Sequence, residues 1–571
     1  MNRRSLLLLL GAGAVLGLSG AIDLYGIDEV PFYTRGEPRE AVVVQGMLEG
    51  GSWLLPMRGA EELSPKPPFF HWLGATTSWL RGSVDELSTR LPSAILAITI
   101  TLMVYALGAN ASRIRSGWLA AMSLALSFEW LRAARTARVD MTFSACITAA
   151  LLLFAWMDRG GSTRLQRIAF YALLTAATLT KGPAGLILPL LVIAVYALLR
   201  PTPERREGLE IGARFSQLAS TARELHALPG IAVVLAIVGA WYATAWAIGG
   251  QAFLDIHLWR ENVFRVLDAS RYQSGHSHGV GYLFGQFLLG AFPFSLFTPA
   301  LAFWLWKQRP LDDTKRFLVV WFCVVFICFL VPDSKRGVYL LPLYPAGALL
   351  FGLVLGPGPE GSLPRRLAAW AWILGCALPA LLGLTGLVLA AGLPLHEWIA
   401  AYTRPHEAAE VAVAVAALRE NLLWLVAASG LALLGSTLAA YNAKDAHWLR
   451  ASVPFVVAML AVLGGLVAPV ERAIAERRTF ADFMPAVTKL VGDTPLAFGN
   501  DAFDYGALFY ANRPIGRSAK ARSEAAYLLI STPEKPSTAM SRELLLRSRG
   551  AGVRGRGGLS LIEPQPGSGD R

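Results

Sequence analysis

Apolar residues run through this chain in blocks of about twenty, separated by short polar or charged stretches; a block that long crosses the hydrocarbon core of a bilayer as a helix. About thirteen transmembrane helices are predicted on this pattern, roughly at 5–24, 88–108, 117–132, 141–157, 166–180, 183–199, 229–248, 281–305, 317–332, 338–356, 367–391, 421–441 and 452–470. The blocks at 117–132 and 166–180 are short or interrupted. Basic residues gather in alternate connections: Arg3 and Arg4, then Arg113 and Arg115, Arg159 with Arg164 and Arg167, Arg200 with Arg205 and Arg206, Lys307 to Arg316, Arg365 and Arg366, and Lys444 with Arg450. The positive-inside rule makes that side cytoplasmic. It predicts a multi-pass protein of the inner cell membrane with a cytoplasmic N-terminus, exporting the segments 25–87, 133–140, 249–280, 332–337 and 392–420.

The pattern changes from about residue 471. Thr494 to Phe498 and Ala526 to Ile530 read as short buried strands, with a helix at Phe503 to Tyr510 between them and a frayed Gly/Arg-rich end beyond. The predicted organisation is a membrane module at 1–470 and a small exported, extracytoplasmic α/β domain at 471–571. Composition agrees with it: 54% of residues are hydrophobic and 16% charged, and the mean hydropathy is +0.46. A net charge of +12 needs no nucleic-acid partner, because a basic cytoplasmic face accounts for it. Cys146, Cys323, Cys328 and Cys376 all fall inside predicted spans, where they read as packing residues rather than disulfide or metal ligands. The sequence shows no internal repeat, P-loop or GxGxxG motif.

Candidate chemistry concentrates in the first exported segment, 25–87. Pro38 suits the first turn of a helix that Gly50 and Gly51 stop, which places Glu37 at a helix N-terminus where the dipole favours the ionised carboxylate. A positioned carboxylate is a candidate general base, and equally a cap of a surface helix. Lys66 repeats the logic with opposite sign: Pro67 and Pro68 launch an amphipathic segment from Phe69 to Leu80, and a cation beside free helix amides is an anion site. Lys66 with Phe69, Phe70 and Trp72 also fits an interfacial anchor.

The order acidic-x-Arg (Glu37, Arg39), Gly51-Ser52-Trp53 with Pro56, and Lys66-Pro67-Pro68 with Trp72 resembles the lipid-carrier-dependent glycosyltransferases of the GT-C fold, in particular the aminoarabinose transferases of lipid A and, more distantly, the protein O-mannosyltransferases. Further similarities run over about residues 20–350: Arg138 and Asp140 at a span start, Thr180-Lys181-Gly182-Pro183 at a break between spans, Arg260, Glu261, Asn262 and Arg265 in a large loop, and Ser334-Lys335 with Tyr339-Leu340-Leu341-Pro342. The resemblance implies a GT-C-like helical membrane enzyme with amphipathic helices on the outer membrane surface. The implied activity is inverting transfer of a sugar from a polyprenyl-phosphate donor to a lipid or protein acceptor, among membrane lipids.

It implies site residues as well: Glu37 or Asp140 as the base, Lys66, Arg265, Lys335 and Tyr339 on the donor phosphate, and Arg39 and Arg138 in support. Lys181 reads as mainly structural. Counted back from Lys66, Gly36 stands on the relatives' first acidic position. Pro65 and Asn262 replace a Glu and a His that ligate zinc in the relatives, so no bound metal is expected, although His276 and His278 leave a divalent ion open. Alternatives are a transporter or flippase of lipid-linked sugars and an O-antigen-ligase-like enzyme. A transporter should carry charges near the bilayer midplane on paired broken helices, and a ligase should concentrate its chemistry in a late exported loop.

Overall fold

A computed structural model describes residues 2–59, 61–201, 210–264, 278–356, 362–394, 397–398, 402–499, 502–531, 544–548 and 558–562. Helix α1 (Arg3–Leu24) starts at Asn2, whose side chain accepts from the Ser5 amide at 2.8 Å. Two helices follow in the segment that the pattern leaves between spans: α2 (Gly36–Leu48) and α3 (Phe69–Arg81), joined through a two-stranded hairpin of β1 (Met57–Arg58) and β2 (Glu62–Leu63). Helix α4 (Glu86–Ala111) opens with a reciprocal cap between Asp85 and Ser88, which satisfies two amides left over at a helix start. Then come α5 (Ile114–Ala125), α6 (Phe128–Ala134), α7 (Val139–Gly160), α8 (Arg164–Lys181), α9 (Ala184–Leu199), α10 (Glu210–Glu224) and α11 (Ala227–Leu254). Helix α11 continues into a π-helix at Asp255–Phe264.

Among the described residues eight helices are long and apolar enough to cross a membrane, nine if the pair Val280–Gly290 and Phe294–Lys307, bent by 109°, is one span. The difference from thirteen lies in short and broken elements. The block at 117–132 is two helices, α5 and α6, interrupted at Leu126 and Ser127, and α9 has only 16 residues. The first of these blocks already reads as short or interrupted in the sequence, and the polar Ser127 and Glu129 fall at and just after its break.

Burial ranks the spans. The helix Gly337–Leu355 is 94% buried over its apolar window and α7 is 78% buried, whereas α1 and Leu363–Ala390 are 22% and 33% buried. The first two are therefore the centre of the bundle, and the others present most of their surface outward, as lipid-facing helices do. The central core joins Met141, Ile147 and Leu151 of α7 to Leu174 of α8, Val192 of α9, Trp321, and Leu340 to Leu353. Trp321 donates its indole N–H to the Pro342 carbonyl at 2.8 Å, satisfying a buried donor and fixing the short 3-10 helix Gly337–Leu343.

The C-terminal part forms a four-stranded sheet in the order β3 (Leu496–Phe498), β4 (Tyr527–Ser531), β6 (Leu559–Ile562), β5 (Leu544–Arg547); β3 and β4 are parallel and the other pairs antiparallel. The strands expected at Thr494 to Phe498 and Ala526 to Ile530 and the helix between them (Tyr505–Ala511) are present. Within the end expected to fray, Leu559–Ile562 form β6, a buried strand inside the sheet, while residues 549–557 and 563–571 lie outside the described residues. The core of this part is shared with the first inter-span segment. Phe32, Ala41, Val42, Phe70, Ala137 and Val139 pack with Phe483, Met484, Phe498, Leu508 and Leu529. Phe32 N–H donates to the Tyr510 hydroxyl at 2.7 Å, and Thr479 donates to the Phe32 carbonyl at 3.0 Å. The sheet thus closes over α2 and the start of α7.

Candidate functional site

The two most buried spans begin side by side, and the candidate residues gather at their starts. Asp140 sits in the first turn of α7, and Lys181 is the last residue of α8; the macrodipoles favour an anion at the one and a cation at the other. Asp140 Oδ1 accepts from Lys181 Nζ at 2.6 Å and its Oδ2 from Arg138 Nε at 3.1 Å. Lys181 Nζ also lies 4.7 Å from the Tyr339 ring centroid and 5.1 Å from that of Phe143, within cation–π range. Lys181, which the sequence reads as mainly structural, thus stands at the centre of the charged cluster.

Gly36 bears directly on Arg138. A Cβ built on Gly36 would stand 2.6 Å from Arg138 Nη1, so the residue aligned with the relatives' first acid is one whose missing side chain leaves room for the guanidinium.

Lys66 heads a second cationic pair. Its Nζ donates to Glu261 Oε2 at 2.7 Å, and both side chains are mostly buried. Glu261 belongs to the π-helix, which is held to the first segment by His257, whose Nε2 meets the Ser64 carbonyl at 2.6 Å. The next residue, Asn262, places its Oδ1 2.8 Å from where a Cβ on Gly182 would be, and Gly182 has φ +88°. Backbone conformation and close approach both call for glycine there. Because Asn262 adjoins Glu261 and Gly182 adjoins Lys181, this contact draws the Lys66 pair toward the Asp140 pair.

Glu37 is placed differently. Its carboxylate is buried and takes a two-point contact from Arg90, Nε to Oε1 at 2.7 Å and Nη2 to Oε2 at 3.2 Å, plus the Ala137 amide to Oε1 at 3.0 Å. Arg90 also donates to the Ile27 and Val30 carbonyls at 2.7 and 2.6 Å. Glu37 therefore ties α2, α4 and the short segment leading into α7 together. Lys335 is buried and donates to the Pro332 carbonyl at 2.8 Å, close in sequence to Tyr339. Arg265 and His276 lie outside the described residues. His278 stacks on Tyr282 with ring centroids 4.0 Å apart, and its amide faces the Asp333 carbonyl.

A buried cluster around Glu40, which sequence reasoning missed, stands behind the site. Glu40 accepts from Arg39 Nε at 3.0 Å and meets His71 Nε2 at 2.9 Å; Arg58 Nη2 is 3.7 Å away. Burial pushes the Glu40 carboxyl up, but Arg39, the His71 hydrogen bond and Arg58 outweigh it and hold the group well below the usual carboxylate range. A depressed carboxyl stabilises the fold above its unfolded value of 4.5 and loses that contribution as pH falls through the lower folded value. Glu40→Gln is expected to flatten acid-induced loss of stability below pH 4.5; thermal unfolding in detergent at stepped pH measures it, and an unchanged slope contradicts the assignment.

The two positions that the resemblance aligns with zinc ligands carry other groups here. Pro65 offers no side-chain donor and Asn262 spends its amide N–H on the His257 carbonyl. Among the described residues no three His, Cys, Asp or Glu side chains group as a metal site.

Comparison with known proteins places this geometry among relatives. The profile of the dolichyl-phosphate-mannose-protein mannosyltransferase family matches residues 65–210. An uncharacterised protein of Aquifex aeolicus is 29% identical over 313 residues, 54% of this chain and 56% of that protein. The undecaprenyl phosphate-alpha-4-amino-4-deoxy-L-arabinose arabinosyl transferase of Yersinia pestis is 26% identical over 319 residues, 55% of this chain and 53% of the relative. The chain spans about half the length of these curated relatives. Crystal structures of ArnT from Cupriavidus metallidurans, bound to undecaprenyl phosphate and in the apo state, superpose with TM-scores of 0.74 and 0.72 at 19% and 20% identity, each covering 96% of this chain and 97% of that one. The shared fold is the GT-C membrane fold.

Proposed function

We propose that this chain, a GT-C-fold membrane protein related to the lipid-carrier-dependent glycosyltransferases, transfers a sugar from a polyprenyl-phosphate donor to a lipid or protein acceptor at the outer face of the inner membrane. One observation carries the reading: a carboxylate, Asp140, shares two cations, Lys181 and Arg138, at the junction of the two most buried spans, with Tyr339 over Lys181 and the Lys66 pair drawn alongside. Ionised groups at such a place are costly and are retained for function.

The donor phosphate leaves with the electron pair of its bond to the anomeric carbon, so negative charge grows on its oxygen in the transition state. Lys181, Lys66 and Arg138 are the groups that match this charge, exchanging their carboxylate partners for phosphate oxygens; Tyr339 and Lys335 support them from the neighbouring span start. Asp140 takes the proton of the acceptor hydroxyl as its oxygen bonds to the anomeric carbon from the opposite side, which inverts that centre. Among the described residues each Asp140 oxygen takes a single donor, so both keep acceptor capacity, while Glu37 Oε1 takes two donors and Oε2 a third. Glu37 is accordingly the strut of the site and Asp140 its base.

Reconstitution of the purified protein into vesicles with a panel of undecaprenyl-phosphate sugars tests the reading. The wild type is expected to turn over at least one donor, and Lys66→Ala to raise KM for that donor about tenfold or more, the worth of a lost charge-assisted hydrogen bond. A wild type inert toward the whole panel, or a Lys66→Ala variant with unchanged KM and kcat, overturns it.

A further inference from the structure

The C-terminal sheet part reaches the site through an unbroken chain of charged contacts. Glu62, at the end of the β-hairpin, accepts from the Tyr505 hydroxyl at 2.8 Å and from Arg517 Nη1 at 2.8 Å. From the other side Arg58 Nη1 meets Glu62 Oε1 at 3.2 Å, and the Arg58 guanidinium lies 5.9 Å from the Tyr505 ring centroid. Arg58 is nearly buried and directs its Nη2 toward Glu40 Oε1, 3.7 Å away; Glu40 in turn holds both Arg39 Nε and Nη2 at 3.0 Å. Arg517 is itself pinned, its guanidinium 3.6 Å from the Phe503 ring centroid. The order is Arg517 and Tyr505, Glu62, Arg58, Glu40, Arg39, and it runs from β-sheet scaffold to the helix that carries the site's supporting arginine.

We infer that Arg517 and Tyr505 are positioning residues for the transfer reaction: by fixing Glu62 they fix Arg58 and Glu40, and so hold Arg39 and the rest of α2, whose Gly36 stands against Arg138, in the geometry the site requires. The inference rests on the functional reading above. The physical reason is the lever of charge on a buried partner. Glu62 is the counter-ion of Arg58, and with its donors on the sheet side removed it turns toward Arg58 or solvent; Arg58 then shifts relative to Glu40, whose single Oε1 serves Arg39 and Arg58 together. Arg39 and Glu40 both lie on α2, and the first residue of that helix, Gly36, stands against Arg138, the donor to Asp140 Oδ2. Small displacements of a group so placed cost turnover out of proportion to stability. The C-terminal domain is on this account part of the active site's frame, and its removal disables the site without touching substrate contacts.

The test uses the full-length protein in vesicles with the donor that the wild type turns over. Arg517→Ala is expected to lower kcat about tenfold with KM for the donor little changed, and Arg517→Lys to restore most of the loss. Tyr505→Phe, which keeps the ring and removes the hydroxyl, is expected to act in the same direction with a smaller effect. The discriminating measurement is a double-mutant cycle: in an Arg39→Ala background, Arg517→Ala should cause no further loss, because both changes disable one relay. Additive losses, or Arg517→Ala at wild-type kcat, overturn the relay while the functional reading stands. A wild type without turnover overturns the reading and the relay with it.

Discussion

Asp140→Asn is expected to leave the protein folded and to lower the proposed transfer by about 10²- to 10⁴-fold, the usual contribution of a positioned general base. Asparagine keeps the size of the side chain and one acceptor oxygen, so Lys181 or Arg138 retains a partner, while the capacity to take a proton is lost. The measurement pairs single-turnover kinetics in vesicles with thermal unfolding, so that loss of rate and loss of fold are read separately. Lys181→Met makes the complementary point, since it removes the cation but leaves the carboxylate, and is expected to raise KM for the donor as well as lower kcat. Wild-type turnover by Asp140→Asn would remove Asp140 from the reaction.

The second large effect is on stability. Arg90→Ala is expected to destabilise the protein by about 3–5 kcal/mol, the cost of leaving a buried charge without its partner, because Glu37 loses two of its three donors and the Ile27 and Val30 carbonyls lose theirs. A large fall in the unfolding midpoint and in yield of folded protein is the observable. Glu37→Gln, which keeps an acceptor for the Ala137 amide, is expected to cost less and to leave turnover per folded molecule within about threefold of wild type, in keeping with a role outside the transition state. A Glu37→Gln protein that unfolds normally yet has lost transfer would return the base role to Glu37. The contrast between the two carboxylates is one of number and kind of donor: Glu37 takes three, two of them from Arg90, whereas Asp140, among the described residues, takes one on each oxygen, from the two cations the proposal assigns to phosphate.

Much of the architecture was legible in the order of residues. The apolar blocks located the spans, Pro67 and Pro68 located the start of α3 at Phe69, and the apolar clusters at Thr494 to Phe498 and Ala526 to Ile530 located β3 and β4. Lys66, Asp140 and Tyr339 were singled out in sequence as candidates, because the resemblance fixes their order along the chain. All of these are local properties: a span needs only about twenty apolar residues in a row, and a helix start needs only its own first turn.

Tertiary structure alone decided the rest, and for one physical reason: each remaining feature depends on which distant groups meet. Leu559 to Ile562 become a strand inside the sheet only because β4 and β5 pair with them on either side. Glu37, the better base by helix position, is taken by Arg90, 53 residues away, and Lys181, read as a structural break, faces Asp140, 41 residues away. Glu62 joins Arg517 across 455 residues. Charge and hydrogen bonding act over a few ångströms whatever the separation along the chain. The order of residues therefore says which charged groups each segment carries, and the fold says which of them pair: Glu37 with Arg90, Lys66 with Glu261, and Asp140 with Lys181 and Arg138.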